Sequence, residues 1–160
     1  MSLPVVLPMK KLLIVAGPQG SGNHLFARLL SAHPSVVGWD SLKDNYWVPS
    51  DEEPFARYWV NPEELTFPEG DFFCANVSVP FFYDGVRQVP KIKEVAQKAM
   101  SLGVQPIIAL IVRDRNINEL QQKRVGGEVT MDTALEYFKD LTCHFIDHEA
   151  FFLWKEKYIE

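Results

Sequence analysis

Unbroken apolar runs at residues 12–16 and 107–112 dominate the pattern of hydrophobic positions along the chain. A continuous run of this length is typical of a parallel strand that is covered on both faces. Residues 72–79 indicate a third strand, although Asn76 and Ser78 interrupt their apolar character. We therefore predict that residues 12–16 and 107–112 form central parallel strands of one sheet.

Apolar residues at helical spacing lie between these strands. Pro90 can occupy the first turn of one helix, and Gly103 follows it where a left-handed cap is expected. The inward positions of this helix are Ile92, Val95, Ala96, Ala99 and Leu102. Thr130 can cap a later helix, whose inward positions are Met131, Ala134, Leu135 and Phe138. The pattern also predicts helices at residues 116–123 and 149–158, and a strand at residues 143–146.

Predicted strands and helices alternate along the chain, which favours an α/β fold. We expect a three-layer sandwich in which helices cover both faces of a mostly parallel central sheet. The 160 residues, of which 47% are apolar, suffice for one domain. We assign residues 9–160 to this domain and residues 1–8 to an N-terminal extension, because Pro4 and Pro8 interrupt the segment before the first strand.

Residues 40–70 form an irregular insert, because their prolines exclude one regular helix. A long irregular segment is often functional or mobile. Ligands of such sheets bind beyond the carboxyl ends of the strands, where this insert begins. The alternative is that the insert covers one sheet face with its aromatic side chains, which are Tyr46, Trp47, Phe55, Tyr58 and Trp59.

A glycine-rich segment, Gly-Pro-Gln-Gly-Ser-Gly-Asn-His at residues 17–24, follows the first apolar run and precedes an amphipathic stretch. We call it the glycine loop. In such a loop the backbone N–H groups can turn inward around a phosphate, and the following helix adds its unpaired donors. Gly17 and Gly22 fit the Walker A pattern, but Asn23 replaces its lysine and His24 its hydroxyl residue. An ordinary glycine turn is the alternative.

Residues 11–39 resemble the start of the sulfotransferase family, in which a phosphate loop containing Ser-Gly-Thr-Thr leads into a helix that ends in His-Pro. The match lies in Ser21-Gly22 and in residues 29–38, Leu-Leu-Ser-Ala-His-Pro-Ser-Val-Val-Gly. Residues 108–115 resemble the family's strand that ends in Val-Arg-Asp-Pro-Arg. Residues 144–149, followed by Tyr158, more weakly resemble the family's C-terminal strand and the Tyr-Glu segment after it.

This resemblance implies a fold of the P-loop type and phosphoadenosine phosphosulfate as the sulfate donor. It also implies that Arg113, the first arginine of the second match, contacts the donor's 3′-phosphate. The chain departs from the family at Gly20, where the family has Arg or Lys, and at Asn23 and His24, where it has Thr-Thr. Gln121 stands where the family has a serine.

Several side chains near the loop could replace the missing charge. His24 falls in the first turn of the predicted helix, where a neutral imidazole could donate to phosphate because the helix dipole disfavours the cation. Arg28 lies one turn later on the same face. Arg113 follows a buried strand at the same sheet edge, although an ion pair with Asp114 or Glu119 would also explain it. The candidate donor-binding residues are thus Gly17, Gln19, Gly20, Ser21, Gly22, Asn23, His24, Arg28 and Arg113.

Two classes of function remain open. A sulfotransferase-like enzyme would pass a sulfuryl group in line from its donor to the hydroxyl or amine of an unknown acceptor. Its catalytic candidates are His24 and the carboxylates Asp40 and Asp44, one of which would take the acceptor proton. The second class is a non-catalytic module that binds a phosphate or nucleotide. A nucleotide kinase comes third, because the lysine and the magnesium ligand are absent.

Composition excludes other partners. The net charge of −5 and the pI near 5.4 argue against a nucleic-acid surface. No apolar stretch reaches the ~20 residues of a membrane span, so we expect a cytoplasmic protein without a membrane partner. Cys74 and Cys143 lie unpaired in apolar runs, which indicates reduced core cysteines. We expect no metal site at residues 143–149, because side chains that alternate along a strand diverge.

Overall fold

The computed structural model of the chain describes residues 9–42, 44–45, 48–155 and 157. Its strands are β1 (Lys10–Pro18), β2 (Val36–Val37), β3 (Phe72–Val79), β4 (Phe81–Tyr83), β5 (Val86–Gln88), β6 (Val104–Val112) and β7 (His144–Asp147). Its α-helices are α1 (Asn23–Ser31), α2 (Ile92–Ser101), α3 (Arg115–Arg124), α4 (Met131–Phe138) and α5 (His148–Trp154). Short 3₁₀ turns occur at Asp40–Leu42, Ala56–Trp59 and Pro62–Glu64. The N-terminal extension assigned to residues 1–8, and Tyr158, lie outside the described residues.

A five-stranded sheet with the order β2-β3-β1-β6-β7 forms the centre of the fold, and all its pairings are parallel. In β1, Leu13 pairs with Cys74 of β3 on one side and with Ile107 of β6 on the other. Ile14 and Val15 of β1 are fully buried, because packed layers cover both sheet faces. The prediction of an α/β fold with residues 12–16 and 107–112 as central parallel strands is confirmed.

Successive residues of β1 belong to different cores, because side chains alternate across a strand. Val15 packs in a small core with Phe26 of α1 and Trp39, and the Phe26 ring lies 4.9 Å from the Phe151 ring of α5, centroid to centroid. Ile14 belongs to a larger core that contains side chains of α2, α4 and the insert. The sheet therefore lies between two helical layers.

The insert at residues 40–70 covers the face of the larger core. Phe55, Tyr58 and Trp59 are buried there, and the Trp59 indole donates to the backbone oxygen of Asn76 at 3.1 Å. The alternative interpretation, an aromatic cover, thus applies to these three rings, while Tyr46 and Trp47 lie outside the described residues. The side chain of Glu53, which belongs to the insert, also contacts His24 of the glycine loop.

The structure corrects some details of the sequence prediction. Helix α2 begins at Ile92, so Pro90 precedes the helix instead of occupying its first turn. Leu102 and Leu135, predicted to face inward, are exposed. In α4 the buried positions are Met131, Ala134 and Phe138, which form a stripe too narrow to include Leu135.

A hairpin of β4 and β5 follows β3 and was not predicted. Asp84 and Gly85 form its turn, with φ of 50° and 71°. Positive φ at both central residues is the requirement of a type I′ turn, for which Asp-Gly is a preferred pair. No helix in the described part of the chain is long and apolar enough to span a membrane.

Candidate ligand-binding cleft

A cleft of about 1020 Å³ opens at the carboxyl end of β1. The glycine loop forms one wall, to which Gln19, Gly20, Gly22, Asn23 and His24 contribute. The other walls come from the end of β3, the β4-β5 hairpin, helix α3 and the turn after α3. Because β3 and β6 flank β1 in the same direction, their carboxyl ends meet at this edge, where parallel sheets bind ligands.

Gly17 and Ser21 shape the loop from inside. Gly17 still belongs to β1 and pairs with Ser78 of β3, and a Cβ at this position would lie only 2.2 Å from the Ser21 Oγ. Ser21 is fully buried, and its hydroxyl donates to the Asn23 Oδ1 at 3.2 Å. The Ser21 side chain therefore holds the loop and does not face the cleft.

Gly22 precedes α1 with a φ of 91°, a left-handed conformation that favours glycine. A Cβ there would lie 2.7 Å from the Cδ2 of His148, the first residue of α5. The His148 ring therefore packs directly against the start of α1. The first N–H groups of a helix have no acceptor within it, so the start of α1 is a source of donors beside the cleft.

His148 itself is largely buried behind Gly22. Its pKa lies below the usual value, mainly because burial disfavours the imidazolium and also because the Arg113 cation is close. The carboxylates of Glu149 and Asp147 oppose this shift. His148 is thus a neutral packing residue near neutral pH.

The structure restricts which residues fit at position 20. Its φ is 82°, and a Cβ would lie 3.2 Å from the Asn118 Oδ1 and 3.3 Å from the Gln121 Cγ of α3. A longer side chain at this position would carry backbone strain and crowd α3. Close packing of α3 therefore favours glycine at position 20.

The loop is also tied to α3 and α4. The backbone oxygen of Gln19 accepts from the Gln122 Nε2 at 2.6 Å, and its side-chain Oε1 accepts from the Thr130 hydroxyl at 3.2 Å. Gln122 in turn accepts from the Thr130 backbone N–H at 2.9 Å. Since Gln122 and Thr130 are buried, these bonds hold the loop in one position.

Asn23 stands at the Walker lysine position but points into the protein. Its Nδ2 donates to the Asn76 Oδ1 at 2.8 Å and to the Ser78 Oγ at 3.2 Å. Asn76 donates to the Oε2 of Glu53 at 2.8 Å, and the Oε1 of Glu53 contacts the Nδ1 of His24. A buried polar network therefore occupies the place where the Walker pattern has a free cation.

Arg113, which follows β6, contacts the glycine loop. Its Nη1 donates to the backbone oxygen of Gly20 at 3.0 Å, and its Nε lies 3.3 Å from the Oε1 of Glu149. The predicted alternative partners are engaged elsewhere. Asp114 caps α3 through Ile117, and Glu119 pairs with Arg115 at 2.7 Å.

The other predicted charges lie away from the cleft. The Arg28 Nη2 donates to the backbone oxygen of Asn45, and its guanidinium carbon lies 5.7 Å from the centroid of the Trp39 ring. Asp40 and Asp44 are exposed and are not among the described lining residues. They follow β2, an edge strand that β3 separates from β1.

Arg87 lines the cleft opposite the loop and was not identified from the sequence. Its Nη1 lies 2.7 Å from the Oε2 of Glu128, and its guanidinium carbon lies 5.5 Å from the centroid of the Phe82 ring. The Asp84-Gly85 turn signal could have identified this hairpin. For Glu53 the sequence held only an indirect signal, the polar Asn76 and Ser78 within an apolar strand, which does not identify the acid that meets them.

No protein-family model matches the chain, and no curated protein matches it. The described residues contain no group of three or more His, Cys, Asp or Glu side chains that could hold a metal ion. At one sheet edge the cleft brings together a glycine loop, two arginines and the contact of His24 with the buried Glu53.

Proposed function

We propose that the cleft binds a nucleotide-type anion of the phosphoadenosine class and that the protein transfers a sulfuryl group from this donor to a hydroxyl or amine of an unknown acceptor. One observation carries the proposal: the Arg113 guanidinium lies 3.0 Å from the Gly20 oxygen, at the glycine loop. A P-loop type of fold is part of the same proposal, and the central position of β1 before the loop supports it.

Arg113 can serve an anion without leaving the loop. A guanidinium carries five N–H donors, so its contacts with Gly20 and Glu149 do not exhaust them. The backbone donors at the start of α1 and the positive end of the helix dipole add to its charge. These groups together suit the phosphates of a donor whose sulfuryl group faces the open part of the cleft.

In the proposed reaction the acceptor atom attacks sulfur in line with the bond that breaks. The new bond to sulfur forms as the bond from sulfur to the donor's phosphate oxygen breaks, and phosphoadenosine phosphate leaves with the electron pair. Positioning of the reactants and stabilisation of the charge that develops on the leaving phosphate are the main tasks of the protein. We infer that the loop N–H groups serve the second task, while Arg113 binds the donor's 3′-phosphate.

A non-catalytic binding module is the second candidate, and the pairing of charges favours it. Arg113 contacts Glu149, Arg87 contacts Glu128, and His24 contacts Glu53, so an anion must compete with an acid for each basic group. A nucleotide kinase is third, because phosphoryl transfer depends on the Walker lysine and on a metal ligand. Asn23 replaces that lysine, and its side chain points into the protein.

Thermal-shift titration tests the proposal. A ligand that binds the folded state at 100 times its Kd adds about 2.7 kcal/mol of apparent stability. We expect phosphoadenosine phosphate to raise the Tm more than adenosine diphosphate, and more than ATP with magnesium. No shift with any of the three would contradict the proposed ligand class, whereas the largest shift with ATP and magnesium would favour the kinase.

A further inference from the structure

Glu53 is the buried acid to which the reaction described above gives no role. Its side chain is 1% exposed, although its neighbours Asp51 and Glu52 in the same acidic run are exposed. A buried carboxylate is costly unless hydrogen bonds replace its water. The position of Glu53 therefore depends on the groups that meet it below the glycine loop.

Hydrogen-bond donors converge on Glu53 from two sides. On one side, Ser21 donates to Asn23, Asn23 donates to Asn76, and Asn76 donates to the Oε2 of Glu53. On the other side, the Nδ1 of His24 contacts the Oε1. Because a carboxylate can only accept, this arrangement places a proton on the His24 Nδ1.

The other ring nitrogen of His24 is thereby left as an acceptor in the neutral imidazole. This Nε2 is buried and has no hydrogen-bond partner among the described residues, while the His24 side chain as a whole lines the cleft. In this tautomer a neutral His24 cannot donate to a phosphate. Its free lone pair suits a proton acceptor instead. Because the Nε2 is buried, an acceptor reaches it only once the groups that cover it move, as catalytic contacts often form only in the substrate complex.

We propose that Glu53 is a positioning residue, which holds His24 so that its Nε2 accepts the proton of the sulfuryl acceptor. This role rests on the proposed function. When the acceptor hydroxyl or amine attacks sulfur, its proton moves to the Nε2 as the bond from sulfur to the phosphate oxygen breaks. The Glu53 carboxylate then stabilises the imidazolium.

The test compares sulfate release from phosphoadenosine phosphosulfate, with water as the acceptor, in the wild type and in variants. His24→Asn keeps a donor for Glu53 and removes the proton acceptor. We expect it to slow release by at least about 100-fold while the Kd for phosphoadenosine phosphate changes by less than about threefold. The matched control is His33→Asn at the exposed far end of α1, which we expect to leave both quantities unchanged.

Nitrogen-15 NMR of the imidazole reads the positioning role directly. We expect the neutral His24 imidazole of the wild type to carry its proton on Nδ1. In Glu53→Gln the new amide can donate to Nδ1, so the proton should move to Nε2 and sulfate release should fall. Glu53→Asp keeps the carboxylate and should restore part of the rate. A wild-type His24 with its proton on Nε2 overturns the proposal, even if the variants do not fold.

The remaining outcomes separate this role from the proposed function. If His24→Asn releases sulfate at the wild-type rate, the role of the pair is wrong and the proposed function stands. If the wild type binds phosphoadenosine phosphate but releases no sulfate, the proton-acceptor role is wrong and the binding module is favoured. If the wild type does not bind phosphoadenosine phosphate, the proposed function fails and this role fails with it.

Discussion

Arg113 lies between the glycine loop and α5, with Gly20 on one side of its guanidinium and Glu149 on the other. Its side chain is about one fifth exposed, at 21%, so water does not fully screen these contacts. The backbone N–H of Asp114 also donates to Glu149 at 3.2 Å. Glu149 is thus held in place and keeps part of the Arg113 charge occupied.

Replacing Arg113 with alanine tests its assignment to the 3′-phosphate. Loss of a charge-assisted hydrogen bond should weaken phosphoadenosine phosphate by about 1.5 to 3 kcal/mol. Adenosine diphosphate, which lacks the 3′-phosphate, should weaken less, and calorimetric titration measures both. Arg115→Ala is the matched control, because Arg115 pairs with Glu119 and Asp132 on the surface. Equal weakening of the two nucleotides would refute the assignment.

His148 gives the fold a dependence on pH. Its pKa is lowered in the folded protein, first by burial and then by the Arg113 cation, whereas the unfolded chain has the ordinary value of about 6.5. The unfolded state therefore binds more protons as the pH falls below that value, and stability falls with it. Above it, both states are neutral at this position and the contribution is complete.

We expect the Tm to fall less between pH 7 and pH 5 in His148→Gln than in the wild type. The glutamine does not titrate, so this part of the acid sensitivity should disappear. Scanning calorimetry at the two pH values measures the difference. A wild type and a variant that lose the same number of degrees would contradict a buried neutral imidazole.

At the scale of elements, the join between the glycine loop and α1 depends on α5. Gly22 has a left-handed φ, and the His148 ring occupies the space where a side chain would stand. The same ring lies 6.0 Å from the Phe26 ring of α1, centroid to centroid. A C-terminal helix therefore supports the start of the first helix of the chain.

Gly22→Ala should destabilise the protein more than a change of backbone conformation explains. A left-handed conformation costs an ordinary residue about 1 to 2 kcal/mol, and the contact with His148 adds to it. Gly103→Ala isolates the backbone term, because Gly103 has a φ of 76° and open space around it. Urea unfolding of both variants measures the difference. If the two variants lose equal free energy of unfolding, the contact of position 22 with His148 adds no cost.

The elements that sequence patterning identified are those with local signals. Residues 12–16 and 107–112 were predicted as strands, because burial on both faces leaves a continuous apolar run. Residues 72–79 were predicted from a run that Asn76 and Ser78 interrupt. The strand β2 has two residues, too few for any periodicity. The β4-β5 hairpin had a usable signal in Asp84-Gly85, but its strands have three residues each, too few to show an alternating pattern.

Part of the candidate site also has a local sequence signal and part has none. Glycines and the start of a helix are recognisable within a short segment, so the loop could be located from residues 17–24. Glu53 could not, since 29 residues separate it from His24 and its acidic run is typical of a solvated surface. Arg87 and Glu128 meet across 41 residues. Contacts over such separations follow from the packing of the insert and the hairpin, which no period in the sequence specifies.

At the scale of the whole molecule, the two cysteines differ in how deeply they are buried. Cys74 lies in β3 next to the central strand and is 1% exposed, and burial raises the pKa of its thiol to about 12. Cys143 lies just before β7 at the sheet edge and is partly exposed, with a smaller rise in pKa from burial. Only the thiolate reacts with alkylating reagents.

We expect Cys74 to react with iodoacetamide only when the whole sheet opens, while Cys143 reacts in the folded protein. Mass spectrometry of digested samples can follow both sites as urea rises. Labelling of Cys74 should track the global unfolding transition, because β3 opens together with β1. Reaction of Cys74 at the same rate as Cys143 in native buffer would show that β3 exchanges locally.

The tight fit of Gly20 against Asn118 and Gln121 also bears on the order in which substitutions can accumulate. A lysine or arginine at position 20 would restore a charge to the loop but would meet α3 at once. A lysine at position 23 would break the bonds of Asn23 to Asn76 and Ser78. Each step is therefore expected to cost stability, through backbone strain and crowding at position 20 and through lost hydrogen bonds at position 23. Substitutions at positions 20 and 23 are thus coupled to their neighbours. A single substitution towards a conventional phosphate loop is expected to destabilise the protein.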